Sequence, residues 1–254
     1  SYGGPEVAKL NRASFDLLAN PPADFAETSF LRHRGAIHLA RGEIPAGAGE
    51  ALDRAALERL LPGLRQAWRT GRVEADCSDI DVARLHAAFL ARFRRSGGTV
   101  RCGAQVVALD RTGAGWTIRC ADGSAVSAAI LVDAAGAWAD GVAVLAGMAP
   151  LGLRPMRRTM IQLRVGRTGL RDLPLVIDAD ERFYFKGESD RSIWLSPHDE
   201  IPADPGDAAP EEIDIATAID RFEQVVDWPV ERVERSWAGL RTFAPDRLPV
   251  FGFD

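Results

Sequence analysis

Few residues in this chain have the type and spacing to do chemistry. His33, His38, His86 and His198 have no partner at catalytic or metal-ligand spacing, and no GxSxG, HExxH or P-loop is present. Cys77, Cys102 and Cys120 are widely spaced, with no CxxC, which argues against a disulfide scaffold or a zinc site and fits a reducing cytoplasm. Arg241 closes the run Ser236-Trp237-Ala238-Gly239-Leu240-Arg241, and Arg157-Arg158 form a basic pair. Each is either a clamp for an anionic ligand or a surface or ion-paired arginine. The chain has only two tyrosines, Tyr2 and Tyr184. Ala129–Asp140 reads as a buried strand, a glycine turn at Gly136 and a helix of small residues. Such an element either cradles a phosphate on free amides or is an ordinary strand-to-helix turn.

The surrounding elements must position these groups. Val7 to Leu18 approximate a helical stripe, and Leu52 to Leu61 form a second helix. Asp79 is the expected cap of an amphipathic helix with Val82, Leu85, Phe89, Leu90 and Phe93 on one face, stopped at Gly97-Gly98. Thr99–Cys102, Val106–Leu109 and Trp116–Cys120 read as strands. Beyond Leu153 the texture turns antiparallel: Thr159–Val165, a hairpin of Arg182–Glu188 and Arg191–Ser196, a helix over Glu211–Val226 and a strand over Val233–Arg241. The fold class expected is α/β, or α+β overall. A partial Rossmann-like dinucleotide-binding domain interleaves with an antiparallel-sheet domain.

Composition bounds the function. The 254 residues can bury a sizeable core, and 46% hydrophobic with 26% charged residues is ordinary for a globular protein. A net charge of −5 lacks the footprint of a nucleic-acid binder. Lys9 and Lys186 are the only lysines among 31 basic residues, a bias of genome composition rather than a binding signal. The longest nearly apolar run, 141–153, is too short to span a bilayer.

Four segments, SYGGPEV with NPPADF, ILVDAAGAWAD, PLGLRPMRRT with FYFK, and SWAGLRTFAPD, together resemble the D-amino-acid oxidase superfamily of FAD-dependent oxidoreductases. The superfamily includes glycine and sarcosine oxidases, and the first and third segments resemble its D-arginine dehydrogenase branch. The resemblance implies a bacterial, cytoplasmic flavoprotein that oxidises the C–N bond of a D-amino acid or related amine by hydride transfer to flavin. The acceptor of the electrons is oxygen or a quinone, and no protein nucleophile or metal is expected.

It implies that Arg241 and Tyr184 hold the substrate carboxylate, that Tyr2 lies on a lid loop and that Arg158 lines the pocket. Leu175 and Ile177 would meet the substrate side chain, and Val106 with Ala135, Gly136, Ala137 and Trp138 would meet FAD. The FAD-binding domain is expected over 1–29, 78–152 and 244–254, and the substrate domain over 30–77 and 153–243.

Two departures shape the expectation. GxGxxG is absent, as is a glycine-rich segment after the last motif, so the chain reads as an internal portion of a longer enzyme. This leaves as alternatives a flavin-free binding domain that keeps the carboxylate clamp, and a sarcosine- or glycine-type oxidase. The acidic residue that receives a guanidinium in the relative is also missing from Arg34-Gly35-Ala36-Ile37-His38. A neutral or hydrophobic substrate side chain is therefore expected.

Overall fold

Ile161, Leu163 and Val165, at every second position, fix the inward face of one long strand, around which a large sheet is built. The computed structural model describes residues 4–44, 46–47, 49–113 and 115–253. Helix α1 (Gly4–Ala19) comes first, followed by strands β1 (Leu31–His33), β2 (Ala36–Ala40) and β3 (Glu50–Leu52). Helix α2 (Arg54–Leu60), capped by the Asp53 carboxylate on the Ala56 N–H, leads to β4 (Thr70–Glu74) and β5 (Ser78–Ile80). Helix α3 (Val82–Arg95) precedes β6 (Val106–Thr112), β7 (Gly115–Cys120) and β8 (Ala125–Ala128). A 3-10 turn (Gly136–Trp138) runs into α4 (Ala139–Leu145). Then come β9 (Arg154–Val165), β10 (Leu175–Asp178), β11 (Tyr184–Gly187), β12 (Ser192–Ser196), β13 (Ile201–Pro202), α5 (Glu212–Glu223) and β14 (Val230–Phe243).

Among the described residues the main sheet has nine strands, ordered β13-β9-β12-β11-β10-β2-β4-β3, with β14 also on β9. Most neighbours are antiparallel, but β2 and β10 run parallel, Ile37 opposite Val176. The inward face carries Ile37, Val176, Phe185, Leu195 and Ile161, all fully buried. Leu57 and Leu61 near α2, Ala218 and Phe222 of α5, and Trp68 and Trp228 close the core over them. Phe185 and Phe222 meet edge to face at 5.2 Å. Burying each such ring contributes about 2–3 kcal/mol.

The chain divides into two compact units. One is Ser1–His86, Arg157–Ile201 and Asp207–Gly239; the other is Ala87–Met156, Pro202–Gly206 and Leu240–Asp254. The mixed α/β class expected from the sequence is the one found.

Three local expectations are corrected. Residues 129–133 form no strand, and Ile130 and Val132 are 69% and 78% exposed. An apolar run becomes a strand only where a neighbour completes its ladder, and no described strand runs beside this one. Thr99–Cys102 is likewise irregular, set between Gly98 and Gly103. The cap of α3 is Asp81, whose carboxylate accepts from the Arg84 N–H at 3.0 Å. Asp79 instead pairs in β5 with Arg32 of β1, leaving its carboxylate free to meet cations.

Candidate active site

Side chains directly opposite one another across a sheet share a face. The face of the main sheet turned away from the core therefore reads in rows. One row runs Ser196, Tyr184, Ile177, His38, Arg72. The adjacent row has Gln162, Trp194 and Lys186 on β9, β12 and β11, and Leu175, Ala36 and Glu74 on β10, β2 and β4. Most of these side chains are half-buried, in contrast to the fully buried core face. Tyr184, Ile177 and Leu175, expected at the site, are thus brought together on this open face.

Tyr184 donates its phenol O–H to the Met160 sulfur at 3.3 Å. The His198 ring stands edge-on to it at 5.5 Å. His198 holds φ of 57°, and its Nδ1 is buried with no hydrogen-bond partner. Burial, then the Arg158 charge, push its imidazole below the usual histidine range, so it is neutral at pH 7. Arg158, expected in the pocket, has a side chain only 7% exposed. Its Nε donates to the Asp199 carbonyl at 2.7 Å, and its Nη2 meets Glu200 at 3.1 Å. That guanidinium is already answered by an acidic loop. Arg157 is similarly paired with Asp214 at 2.9 Å and with Glu211.

Lys186 reaches Asp79 at 2.7 Å and lies 5.1 Å over the Trp194 ring. Asp79 also receives Arg34. Burial raises the Asp79 carboxyl, but hydrogen bonds from Lys186 and Arg34 outweigh it and hold the group below the ordinary range. Met160, His198, Trp194 and Lys186 were not found by sequence reasoning. The two-residue step from Arg158 along β9 signals Met160; the others join Tyr184 through strand pairing, which has no local signature.

The second unit holds the remaining residues. Arg241 is exposed at the end of β14, with its guanidinium 5.1 Å over the Phe243 ring and no carboxylate partner among the described residues. A cavity of about 220 Å³ lies beside Phe243, lined by Arg154, Met156, Ala244, Pro245 and Arg247. Val106 starts β6, against which α4 packs. The turn before α4 holds Ala135, Gly136 and Trp138, and its helical start has no side-chain cap. Gly136 has φ of 58°, and a Cβ there would meet nothing within 4 Å. The Ala135 N–H is taken by the Asp133 carboxylate at 3.0 Å and the Trp138 N–H by the Ala135 carbonyl at 3.1 Å, so what fits this turn to a phosphate of a nucleotide cofactor is the open space over Gly136 at the helix start. Tyr2 lies outside the described residues.

Among the described residues no group of three or more His, Cys, Asp or Glu is placed to hold a metal. No helix among them is long and apolar enough to cross a membrane.

Solved structures share this fold. Glycine oxidase from Geobacillus kaustophilus matches with a TM-score of 0.80 at 18% identity, over 99% of this chain and 71% of that one. L-alpha-glycerophosphate oxidase from Mycoplasma pneumoniae, solved with FAD bound, gives 0.79 at 14% identity, over 95% and 69%. L-proline dehydrogenase from P. horikoshii gives 0.73 at 15%, over 98% and 68%. Amine and alcohol oxidation share this fold, so architecture alone does not choose the substrate. The family model for FAD dependent oxidoreductases, abbreviated DAO, matches residues 1–254, and this chain accordingly belongs to that family, with FAD as its cofactor.

Proposed function

We propose that the open sheet face is the substrate wall of a flavin-dependent amine oxidoreductase acting on an amino acid or related amine, D-amino acids first. The carrying observation is the state of the Tyr184 phenol. Its acceptor among the described residues is a thioether, a weak one, so a strong donor remains available to a ligand. Ile177, directly opposite, and Leu175 on the same face give the donor an apolar flank suited to substrate carbon.

A carboxylate is the acceptor that such a donor favours, and charge-assisted hydrogen bonds to it are the strong ones. Arg241, which the resemblance assigns to carboxylate binding, carries a bidentate fork and has no carboxylate partner among the described residues. FAD, when bound, supplies the hydride acceptor for oxidation of the substrate C–N bond to an imine. The protein's part is orientation and exclusion of water around Cα. Ala135, Gly136, Trp138 and Val106 are proposed to contact FAD, and Tyr2 to belong to a lid.

Residues 30–77 and 153–243 are assigned to substrate and 1–29, 78–152 and 244–254 to the cofactor. The SYGGPEV and PLGLRPMRRT segments favour the D-arginine dehydrogenase branch over glycine and sarcosine oxidases.

Anaerobic mixing of the holoprotein with D- and L-amino acids, glycine, sarcosine and glycerol 3-phosphate tests this. One or more D-amino acids should bleach the oxidised flavin band and release ammonia after hydrolysis. Bleaching by glycerol 3-phosphate and by no amine overturns the proposal. Tyr184→Phe should raise KM by about 10-fold with kcat little changed, the loss of one hydrogen bond to a charged group.

A further inference from the structure

We infer that Arg221 is a positioning residue for the substrate wall: its guanidinium ties together the two loops that set the Tyr184 phenol and the His198 ring side by side. This rests on the substrate-wall reading above. Arg221 lies in α5, and its Nη1 donates to the carbonyls of Arg182 and Pro197. One such nitrogen carries two N–H bonds, so it serves both carbonyls at once. The first carbonyl belongs to the turn from β10 into β11, two residues ahead of Tyr184. The second immediately precedes His198 in the loop after β12. Tyr184 and Ser196 form the last pair of the β11–β12 ladder at this end. Beyond that pair the two chains part, and the Arg221 clamp is what next joins them.

The backbone shows that both loops are held in shape rather than merely touching. Glu181 and His198, each next to a clamped carbonyl, both have φ of 57°. A residue other than glycine keeps this left-handed conformation only where its surroundings over-determine it. Within the first turn Arg182 Nε bonds Asp178 at 2.6 Å, and the His198 imidazole bonds the Glu181 backbone across the gap. Arg221 anchors the pair to α5, a helix seated on the core through Ala218 and Phe222. Without that anchor both residues relax toward ordinary φ, and the His198 ring withdraws from its edge-on contact with Tyr184. The phenol then loses its fixed direction, which weakens carboxylate binding and leaves the chemistry at Cα unaltered. A cavity of about 160 Å³ lies beside the guanidinium, with the Asp220 carboxylate on its wall. A small cation can therefore enter where the arginine head group is removed.

The test uses the holoprotein, D-norleucine as substrate and hexanoate, a carboxylate with no α-amine to oxidise. Arg221→Met keeps the apolar stem and removes the donors. It should weaken hexanoate binding in calorimetry and raise KM for D-norleucine, each by up to about 10-fold, the ceiling that Tyr184→Phe sets, with kcat little changed. Arg221→Lys should fall between the two. In the Tyr184→Phe background Arg221→Met should add nothing, because the clamp acts through the phenol. Guanidinium chloride, kept well below denaturing concentrations, should restore hexanoate affinity to Arg221→Ala, and sodium chloride at the same ionic strength should not. An arginine that only stabilised the fold would lower Tm and leave these affinities alone. Normal hexanoate affinity in Arg221→Met, an equal loss in both backgrounds, or no restoration by guanidinium overturns the assignment. If Tyr184→Phe itself leaves hexanoate binding unchanged, the substrate-wall reading fails, whatever Arg221 does.

Discussion

Charged side chains on the open face are held by partners rather than by solvent, which makes their contribution measurable one residue at a time. Glu234 accepts from Ser192 Oγ at 2.6 Å and from Arg164 Nε at 2.8 Å. The Ser192 hydrogen bond, against the upward push of burial and helped by Arg164 and Arg232, lowers its carboxyl from 4.5 to about 2. A carboxyl with a depressed folded-state value stabilises the fold above its ordinary value and loses that contribution as pH falls. The loss therefore falls between about pH 4.5 and pH 2. Urea midpoints measured across that window should decline for the unaltered protein and decline less for Glu234→Gln; parallel curves would refute the assignment. Asp79→Asn acts differently, because the Arg34 side chain is only 3% exposed. A buried guanidinium deprived of its carboxylate should cost about 3 kcal/mol, read as a lower denaturation midpoint at neutral pH. Tyr184 was legible from the FYFK segment through resemblance, whereas Arg221 was not. The carbonyls it holds lie 39 and 24 residues away in the chain, and nothing local in α5 announces them.

At the level of elements, alternation made β9, β11 and β12 legible, because each sets every second residue into the same core. The short strands β1, β2, β4 and β5 were not resolved. Their ladders form with partners far along the chain, as β2 does with β10. Residues 129–133 show the converse failure, a strand-like run with no described ladder to join. The β11 strand that carries Tyr184 and Lys186 also ends in a constraint that periodicity cannot show. A Cβ on Gly187 would lie 1.6 Å from the Leu170 carbonyl oxygen, so the backbones touch there. Gly187→Ala must move one of the two segments. It should destabilise by about 2–3 kcal/mol and raise KM, since Tyr184 shares the displaced strand. Thermal melts and steady-state kinetics on one preparation check both halves; a full-stability variant with normal KM would show that the approach is loose.

Across the whole molecule, apolar burial is unevenly shared between the two units. Of the buried apolar side chains among the described residues, only Leu109 and Cys120 belong to the unit of Ala87–Met156, Pro202–Gly206 and Leu240–Asp254. Ile130, Val132, Trp138, Val144 and Phe251 in that unit are largely exposed. A unit with so thin a core of its own should depend on what binds it, and its uncapped turn at Gly136 fits part of the family's cofactor. A ligand that binds only the folded form at a hundred times its Kd adds about 2.7 kcal/mol. For a chain of this size that corresponds to roughly 5–11 °C in Tm. Stripping FAD from the holoprotein should therefore lower Tm by that order. It should also expose arginines of 87–156 to trypsin before those of 157–201, because the latter segment lies in strands sealed by the main core. Equal melting of the two forms, or faster cleavage within 157–201, would mean that the stability of the thinner unit does not come from the flavin.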